Sequence, residues 1–321
     1  MDRLTKNAIG ELNDICPGNV IIDADLAQLS CWRIGGKADI LLRPSSTKQL
    51  AKLLSWFSKR SIQPVVIGLT TNLLFDDEGL RTPCIQVGKN MSKVDINGTV
   101  VWAQAGTWVP CLARSVMRAG LTGAEHISGI PGALGGLICM NGGSQRKSIS
   151  SNVLSVESVD LNGSIKHYDV TECDFAYRNS IFQTNSEVIT NVKLNFETGS
   201  KRLIREEMLS ILVERSKKFP RKQPNCGSVF KSDPEMYSEI GSPGSIIEKL
   251  GFKGYRVGGA VVSPQHANFI VNNGSAKSSD VLTIISKIGE AVMINTGYRM
   301  ASEAIFIRSD GKTIPADQVF S

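Results

Sequence analysis

Hydrophobic and polar positions follow two rhythms along this chain, and the switches between them mark its elements. Residues 38–42 (Ala-Asp-Ile-Leu-Leu) read as a strand. Residues 47–60 place Leu50, Leu53, Leu54 and Phe57 at i, i+3, i+4 and i+7, the stripe of an amphipathic helix that Ser46 or Thr47 can cap. Pro64-Val-Val-Ile-Gly68 then reads as a buried strand, which completes a βαβ unit ending in the loop Gly68-Leu-Thr-Thr-Asn72. The pattern repeats with a strand over residues 100–106 and a helix over 109–119, whose Leu112, Val116 and Met117 face inward and which Gly120 stops. Asn162-Gly163 between two alternating runs predicts a hairpin. Val188, Thr190, Val192, Leu194 and Phe196 alternate with polar neighbours as in a half-buried strand. A charged helix begins near Lys201 with Ile204, Met208, Ile211 and Leu212 on one face, and it is expected to lead into a separate domain. A short helix near residues 246–250, a helix over 279–295 and a last strand at 304–307 follow, and residues 1–28 read as an N-terminal extension.

Composition narrows this picture. A chain of 321 residues can bury a large core and divide into two or three domains, here expected at 1–85, 86–200 and 201–321. The net charge of +6 favours anionic ligands, but no dense Lys/Arg block exists, so nucleic acid is not expected. Seven scattered cysteines without a Cys-x-x-Cys pair, and the separated His126, His167 and His266, offer no metal-ligand spacing. Unpatterned cysteines fit a reducing cytosol. The opening Met1-Asp-Arg-Leu-Thr-Lys-Asn-Ala8 has no apolar signal core, and no run of about 18 apolar residues follows. The chain is therefore read as cytoplasmic with no membrane span, and a monomer is expected.

The 30 glycines cluster, and the clusters carry the candidate chemistry. Ile130-Pro-Gly-Ala-Leu-Gly-Gly136 runs on to Asn141-Gly-Gly143, holding five glycines and almost no large polar side chain. Such a loop exposes backbone N–H groups to a pyrophosphate and lets the chain lie against a flat ring. A single glycine loop is more often a tight crossover. Here Trp32-Arg-Ile-Gly-Gly36 and Gly68-Leu-Thr-Thr-Asn72 supply two more beside predicted strands, and three together favour a dinucleotide site. No Gly-x-Gly-x-x-Gly opens a helix, so the site is not of the Rossmann kind. Three further segments are Tyr177-Arg-Asn-Ser-Ile-Phe-Gln183, Cys226-Gly-Ser-Val-Phe-Lys231 and Lys253-Gly-Tyr-Arg-Val-Gly-Gly259. Taken singly, Arg178 reads as a surface arginine, Ser228 as a turn residue, Glu303 as a solvated strand end and His266 as structural.

In this order and spacing the segments resemble the UDP-N-acetylenolpyruvoylglucosamine reductase (UDP-N-acetylmuramate dehydrogenase) family, in its type II form, over roughly residues 28–308. The resemblance implies an α+β fold: a two-subdomain FAD-binding module of the vanillyl-alcohol-oxidase type, then a smaller α+β substrate-binding domain. It implies FAD and NADPH as cofactors and a UDP-sugar enolpyruvate as substrate. Arg33, Gly35, Gly36, Gly68, Thr70, Thr71, Asn72, Gly129, Ile130, Pro131, Gly132, Gly135, Gly136 and Asn141 would surround FAD. Arg178 would hold the enolpyruvyl carboxylate, Ser228 would donate a proton and Glu303 would complete the catalytic set, while Tyr177, Lys231, Arg256 and His266 would bind substrate. The chain departs from the family in its first loop, where Thr70-Thr71 replace Gly-Ser, and after Asn141, where Gly-Gly-Ser-Gln-Arg146 replaces Ala-Gly-Ala-Tyr-Gly. A threonine forced to φ > 0 costs about 1 kcal/mol or more. Because Thr71 changes alongside and offers a hydroxyl, Thr70 is expected to keep φ < 0. These departures leave a paralogue with another substrate, or a sugar-nucleotide-binding protein, as the alternative. An FAD-linked oxidase would have no use for the 226–231 and 253–259 segments.

Overall fold

The computed structural model describes residues 5–232 and 234–320, and the chain divides into two units that are not contiguous in sequence. Unit 1 comprises Met1–Ile21, Ile40–Leu69 and Pro83–Arg215; unit 2 comprises Ile22–Asp39, Thr70–Thr82 and Ser216–Ser321. The first four residues of the expected N-terminal extension lie outside the described residues.

Unit 1 is organised by a five-stranded antiparallel sheet in the order Ile165–Asp169, Val153–Val159, Val188–Asn195, Val100–Gln104, Val94–Asn97. The expected hairpin closes at Gly163, whose φ of +88° suits glycine, and sets Ile165 opposite Val159. The expected inward residues Val188, Thr190, Val192, Leu194 and Phe196 are all buried, and Ile189 is buried as well, so the alternation is clean only from Thr190 onward. Thr190 is tolerated there because its hydroxyl donates to Glu157 Oε1 at 2.6 Å, and Thr47 Oγ1 donates to the same oxygen at 3.1 Å. A smaller parallel arrangement joins Val65–Ile67 and Leu41-Leu42 to Cys84–Gln86. The helix Thr47–Ser58 buries Leu50, Leu53, Leu54, Trp56 and Phe57 in the same core, and Ser46 Oγ caps it by accepting the Gln49 N–H at 3.2 Å. The N-terminal extension contributes to this core. Lys6–Ile15 is a helix whose Leu12 is fully buried in this core, and Trp56 Nε1–H donates to Glu11 at 2.6 Å.

Unit 2 has its own core. Val281, Leu282, Ile284, Ile285, Ile288 and Val292 of the helix Ser278–Thr296 pack with Trp32, Ile34, Leu74 and Phe230. One antiparallel sheet runs Arg256–Val257, Ala260–Val262, Ile270–Asn272. In another, Ile305–Ile307 lies between Thr313–Pro315, antiparallel, and Leu73–Phe75, parallel. The helix Lys201–Lys218 does not open a separate domain at Lys201. Its Ile204 and Met208 belong to the core of unit 1, and the division falls after Arg215. Among the described residues no helix is long and apolar enough to cross a membrane, and no group of three or more His, Cys, Asp or Glu could hold a metal ion.

Candidate active site

In unit 1 the glycine-rich segment 129–143 is shaped by what its glycines leave out. Gly132 has φ +135°, a conformation closed to other residues, and its carbonyl accepts the Val109 N–H at 3.0 Å. Leu134 and Gly135 donate their N–H groups to the Thr107 and Ala105 carbonyls, both at 2.8 Å, so the loop lies flush on the strand end. A Cβ on Gly135 would stand 3.0 Å from that of Ala105, whereas one on Gly136 would meet nothing within 4 Å. Gly68 approaches the same loop, with a Cβ position 3.5 Å from the Ala133 Cβ. Two of the three sequence-predicted loops are thus neighbours. No carboxylate stands in residues 68–69 or 129–143 of this unit. Side-chain-free backbone beside an open glycine, without acidic groups, fits the pyrophosphate of a dinucleotide such as FAD.

The Arg178 turn is tied to the end of that loop. Ser180 Oγ donates to the Cys139 carbonyl at 2.7 Å, and Gln183 Nε2 donates to Cys139 O at 3.0 Å and Arg178 O at 2.9 Å. Asn141 Nδ2 donates to Ala176 O at 2.9 Å. Ser180 and Gln183 thus serve the carbonyl end of the helix Leu134–Cys139 while fixing the turn that presents Arg178. The Arg178 guanidinium lies 5.6 Å from the Tyr177 ring centroid. Arg178 has φ +54°, Asn141 +41°, Gln145 +54° and Arg146 +61°. Left-handed non-glycine residues concentrate here, as strain does at binding sites. His126, which carries no assigned role, is buried nearby with neither ring nitrogen in a well-formed hydrogen bond; burial and then Lys147 depress its pKa.

In unit 2 the 33–36 segment is held by Trp32, whose Nε1–H donates to Ile270 O at 2.7 Å, and by Asn272 Nδ2, which donates to Trp32 O at 2.9 Å. Gly35 is forced by packing, since a Cβ there would fall 2.8 Å from that of Phe75. The expectation for Thr70 is overturned: its φ is +58°. Its hydroxyl is engaged by the protein's own backbone. It donates to Leu29 O at 2.7 Å and accepts the Cys31 N–H at 3.3 Å, and these bonds offset the strain. Asn72 Nδ2 donates to Glu303 O at 2.6 Å, and Asn72 O accepts the Ile305 N–H at 3.0 Å.

The Ser228 segment lies along the Glu303 segment. Glu303 N–H donates to Val229 O at 2.7 Å, Lys231 N–H donates to Ala301 O at 2.9 Å, and Phe230 bridges Ser302. Ser228 and Glu303, 75 positions apart, therefore sit on adjoining backbone. Cys226, which is buried, has its thiol pushed well above the usual range by burial, with Cys31 and Glu303 adding to the shift. On the other side Asn268, which sequence reasoning missed, binds Val229 and Phe230. A single asparagine before a strand gives no signal of this. His266 lies against Phe219 and Phe269, with ring centroids 5.3 and 5.0 Å away. Burial, then Lys218 and Lys253, lower its pKa to about 4, so it is a neutral ring near pH 7. Arg256 is exposed in the strand Arg256–Val257.

The chain is similar to known proteins over most of its length. Residues 219–307 match the family model of the UDP-N-acetylenolpyruvoylglucosamine reductase C-terminal domain, and residues 38–169 match that of an FAD binding domain. The chain is 42% identical over 297 residues to UDP-N-acetylenolpyruvoylglucosamine reductase 1 of Corynebacterium glutamicum, covering 92% of this chain and 89% of that protein. It is 33% identical to the reductase of Halalkalibacterium halodurans, over 94% of this chain and 99% of that one. Among solved structures, the UDP-N-acetylenolpyruvylglucosamine reductase of Thermus caldophilus superposes with a TM-score of 0.75 at 28% identity, covering 89% of this chain and 97% of that chain. Similarity at this level over nearly the full length of both partners, with the glycine loops and the Ser228 and Arg178 segments in place, means that the chain belongs to the UDP-N-acetylenolpyruvoylglucosamine reductase family.

Proposed function

We propose that this chain reduces UDP-N-acetylglucosamine enolpyruvate to UDP-N-acetylmuramate with NADPH, in peptidoglycan precursor synthesis. The observation that carries the reading is the pairing of the Ser228 and Glu303 segments through the 2.7 Å bond from Glu303 N–H to Val229 O. FAD, when bound by residues 33–36, 68–72 and 129–141, supplies the hydride chemistry between NADPH and the enolpyruvyl methylene carbon. The protein's own part is charge and proton management. As hydride reaches C3, negative charge develops at C2 and spreads into the carboxylate, where the Arg178 fork gives it two-point support. Ser228 then breaks its O–H bond and passes the proton to C2, and solvent restores that proton. A serine hydroxyl is a weak acid, so it serves only because the acceptor is strongly basic and held beside it. Glu303 assists protonated or by positioning its neighbours. Tyr177, Lys231, Arg256 and His266 hold the UDP-sugar; the neutral His266 offers an Nε2–H donor to a phosphate oxygen. Residues 1–200 hold the segments given to the cofactor, and residues 201–321 hold most of those given to the substrate. Seven free cysteines support a reducing cytosol as the working compartment, and the chain acts there as a monomer.

The purified protein tests this directly. The expected result is a yellow protein with about one FAD per chain, released by denaturation because no histidine or cysteine here sits in an attachment motif. NADPH is then consumed only when the enolpyruvyl substrate is present. A colourless protein that takes up no added FAD removes the reading.

A further inference from the structure

We infer that Asn268 is a positioning residue for the Ser228 proton donor, and that His266 holds Asn268 in place. The inference rests on the reaction proposed above. Asn268 is only 5% exposed, and its carboxamide imitates a peptide group of a missing neighbouring strand. Oδ1 accepts the Phe230 N–H at 2.9 Å, and Nδ2 donates to Phe230 O at 2.9 Å. The Asn268 carbonyl accepts the Val229 N–H, again at 2.9 Å. On the opposite edge the same segment is bonded to Ala301 and Glu303. Residues 229–231 therefore have backbone partners on both edges, one edge being largely a single side chain.

Ser228 sits at the start of this clamped stretch. On its other flank Gly227, at φ +91°, donates its N–H to Asn225 Oδ1 at 2.9 Å. The backbone on both sides of the serine is fixed, while its hydroxyl makes no hydrogen bond among the described residues. Asn268 is itself oriented by His266, whose Nδ1 accepts the Asn268 N–H at 3.2 Å. An accepting Nδ1 places the ring proton on Nε2, and the Phe219 and Phe269 rings fix the ring plane. The charged groups that act on His266 are Lys218, Lys253 and Glu248, and they leave this tautomer in place near neutral pH. The relay runs from His266 through Asn268 to Val229 and Phe230, and so to Ser228. A weak acid that must meet a short-lived basic carbon gains most from such fixing.

Asn268→Asp keeps the shape and the accepting oxygen but turns an acceptor toward Phe230 O. Anaerobic stopped-flow on the FAD-loaded protein should show oxidation by the enolpyruvyl substrate slowed by about 10²-fold, with reduction by NADPH changed by no more than about threefold. The solvent deuterium effect on substrate-driven oxidation should rise, because proton delivery becomes limiting. Amide exchange at Val229 and Phe230 should accelerate while the helix Ser278–Thr296 stays protected. His266→Phe keeps the ring packing and removes the acceptor together with the Nε2–H donor given to the substrate phosphate, so its readout is amide exchange without substrate: exchange at Val229 and Phe230 should accelerate by about tenfold or less, and it serves if the aspartate variant does not fold. Equal slowing of both half-reactions, an unchanged deuterium effect, or unchanged exchange at Val229 and Phe230 overturns the inference. If the wild-type protein is not oxidised by the substrate, the proposed reaction fails instead, and the exchange measurement still decides whether Asn268 holds the segment.

Discussion

Thr70 sets a left-handed backbone against two hydrogen bonds made by its own hydroxyl, and the balance can be measured. Thr70→Gly relieves roughly 1–2 kcal/mol of strain. It removes two bonds of about 0.5–1.5 kcal/mol each and adds about 0.4–1 kcal/mol of unfolded-state entropy. The net expectation is a slightly less stable protein. Thr70→Val loses the same two bonds and keeps the strain, without the entropy cost of glycine, so it should be the worse of the two by about 1 kcal/mol. Urea midpoints in the order wild type, glycine, valine would bear this out; a glycine variant more stable than wild type would mean that strain dominates. Arg178 poses a different question, because its value lies in geometry rather than charge. Arg178→Lys keeps the charge and loses the two-point grip. Substrate-driven turnover should fall by about tenfold or more, with the flavin spectrum unchanged. Wild-type turnover would assign the carboxylate to another cation such as Arg256.

Among the elements, the strap formed by Ser180 and Gln183 links helix capping to presentation of Arg178. Ser180→Ala removes one bond to Cys139 O but leaves that carbonyl its partner in Gln183, so stability should fall by only about 1 kcal/mol. The turn is freed nonetheless, and the Michaelis constant for the UDP-sugar should rise more than a stability loss of that size explains. An unchanged constant would confine Ser180 to capping. The same scale shows what could be read in advance. The helix at residues 47–58 and the strand at 188–195 were legible because side-chain period alone determines which face is buried. The motif Tyr-Arg-Asn-Ser-Ile-Phe-Gln pointed to Arg178, yet Ser180 and Gln183 acquire their roles only from the Cys139 carbonyl, 41 and 44 positions away. Asn268 was illegible for the same reason, its partners lying 38 positions upstream. Thr70 was misread because backbone strain can be tolerated wherever tertiary hydrogen bonds offset it, and local sequence does not disclose those bonds.

At the scale of the whole molecule, His266 links pH to stability. Its pKa is about 4 in the folded protein against 6.5 for an unperturbed ring, because burial and then Lys218 and Lys253 disfavour the charged form. The unfolded chain therefore takes up a proton that the folded chain refuses. Stability is fully present above pH 6.5 and is lost progressively as pH falls toward about 4. His266→Phe should flatten that part of the profile, read as the difference in unfolding midpoint between variant and wild type. Parallel profiles would mean that the ring is not held neutral. The division into units has a consequence for biosynthesis. The core of unit 2 joins Trp32, Ile34 and Leu74 to residues beyond 225, and the Trp32–Ile270 bond spans 238 positions. On the ribosome these early residues emerge long before their partners exist, while most of unit 1 is complete once Arg215 has been made. Such long-range closure is slow and leaves apolar surface waiting. A nascent chain stalled after Arg215 should carry a protease-resistant unit 1 together with cleavable segments at 22–39 and 70–82, making this stretch of translation the time when the protein most needs a chaperone.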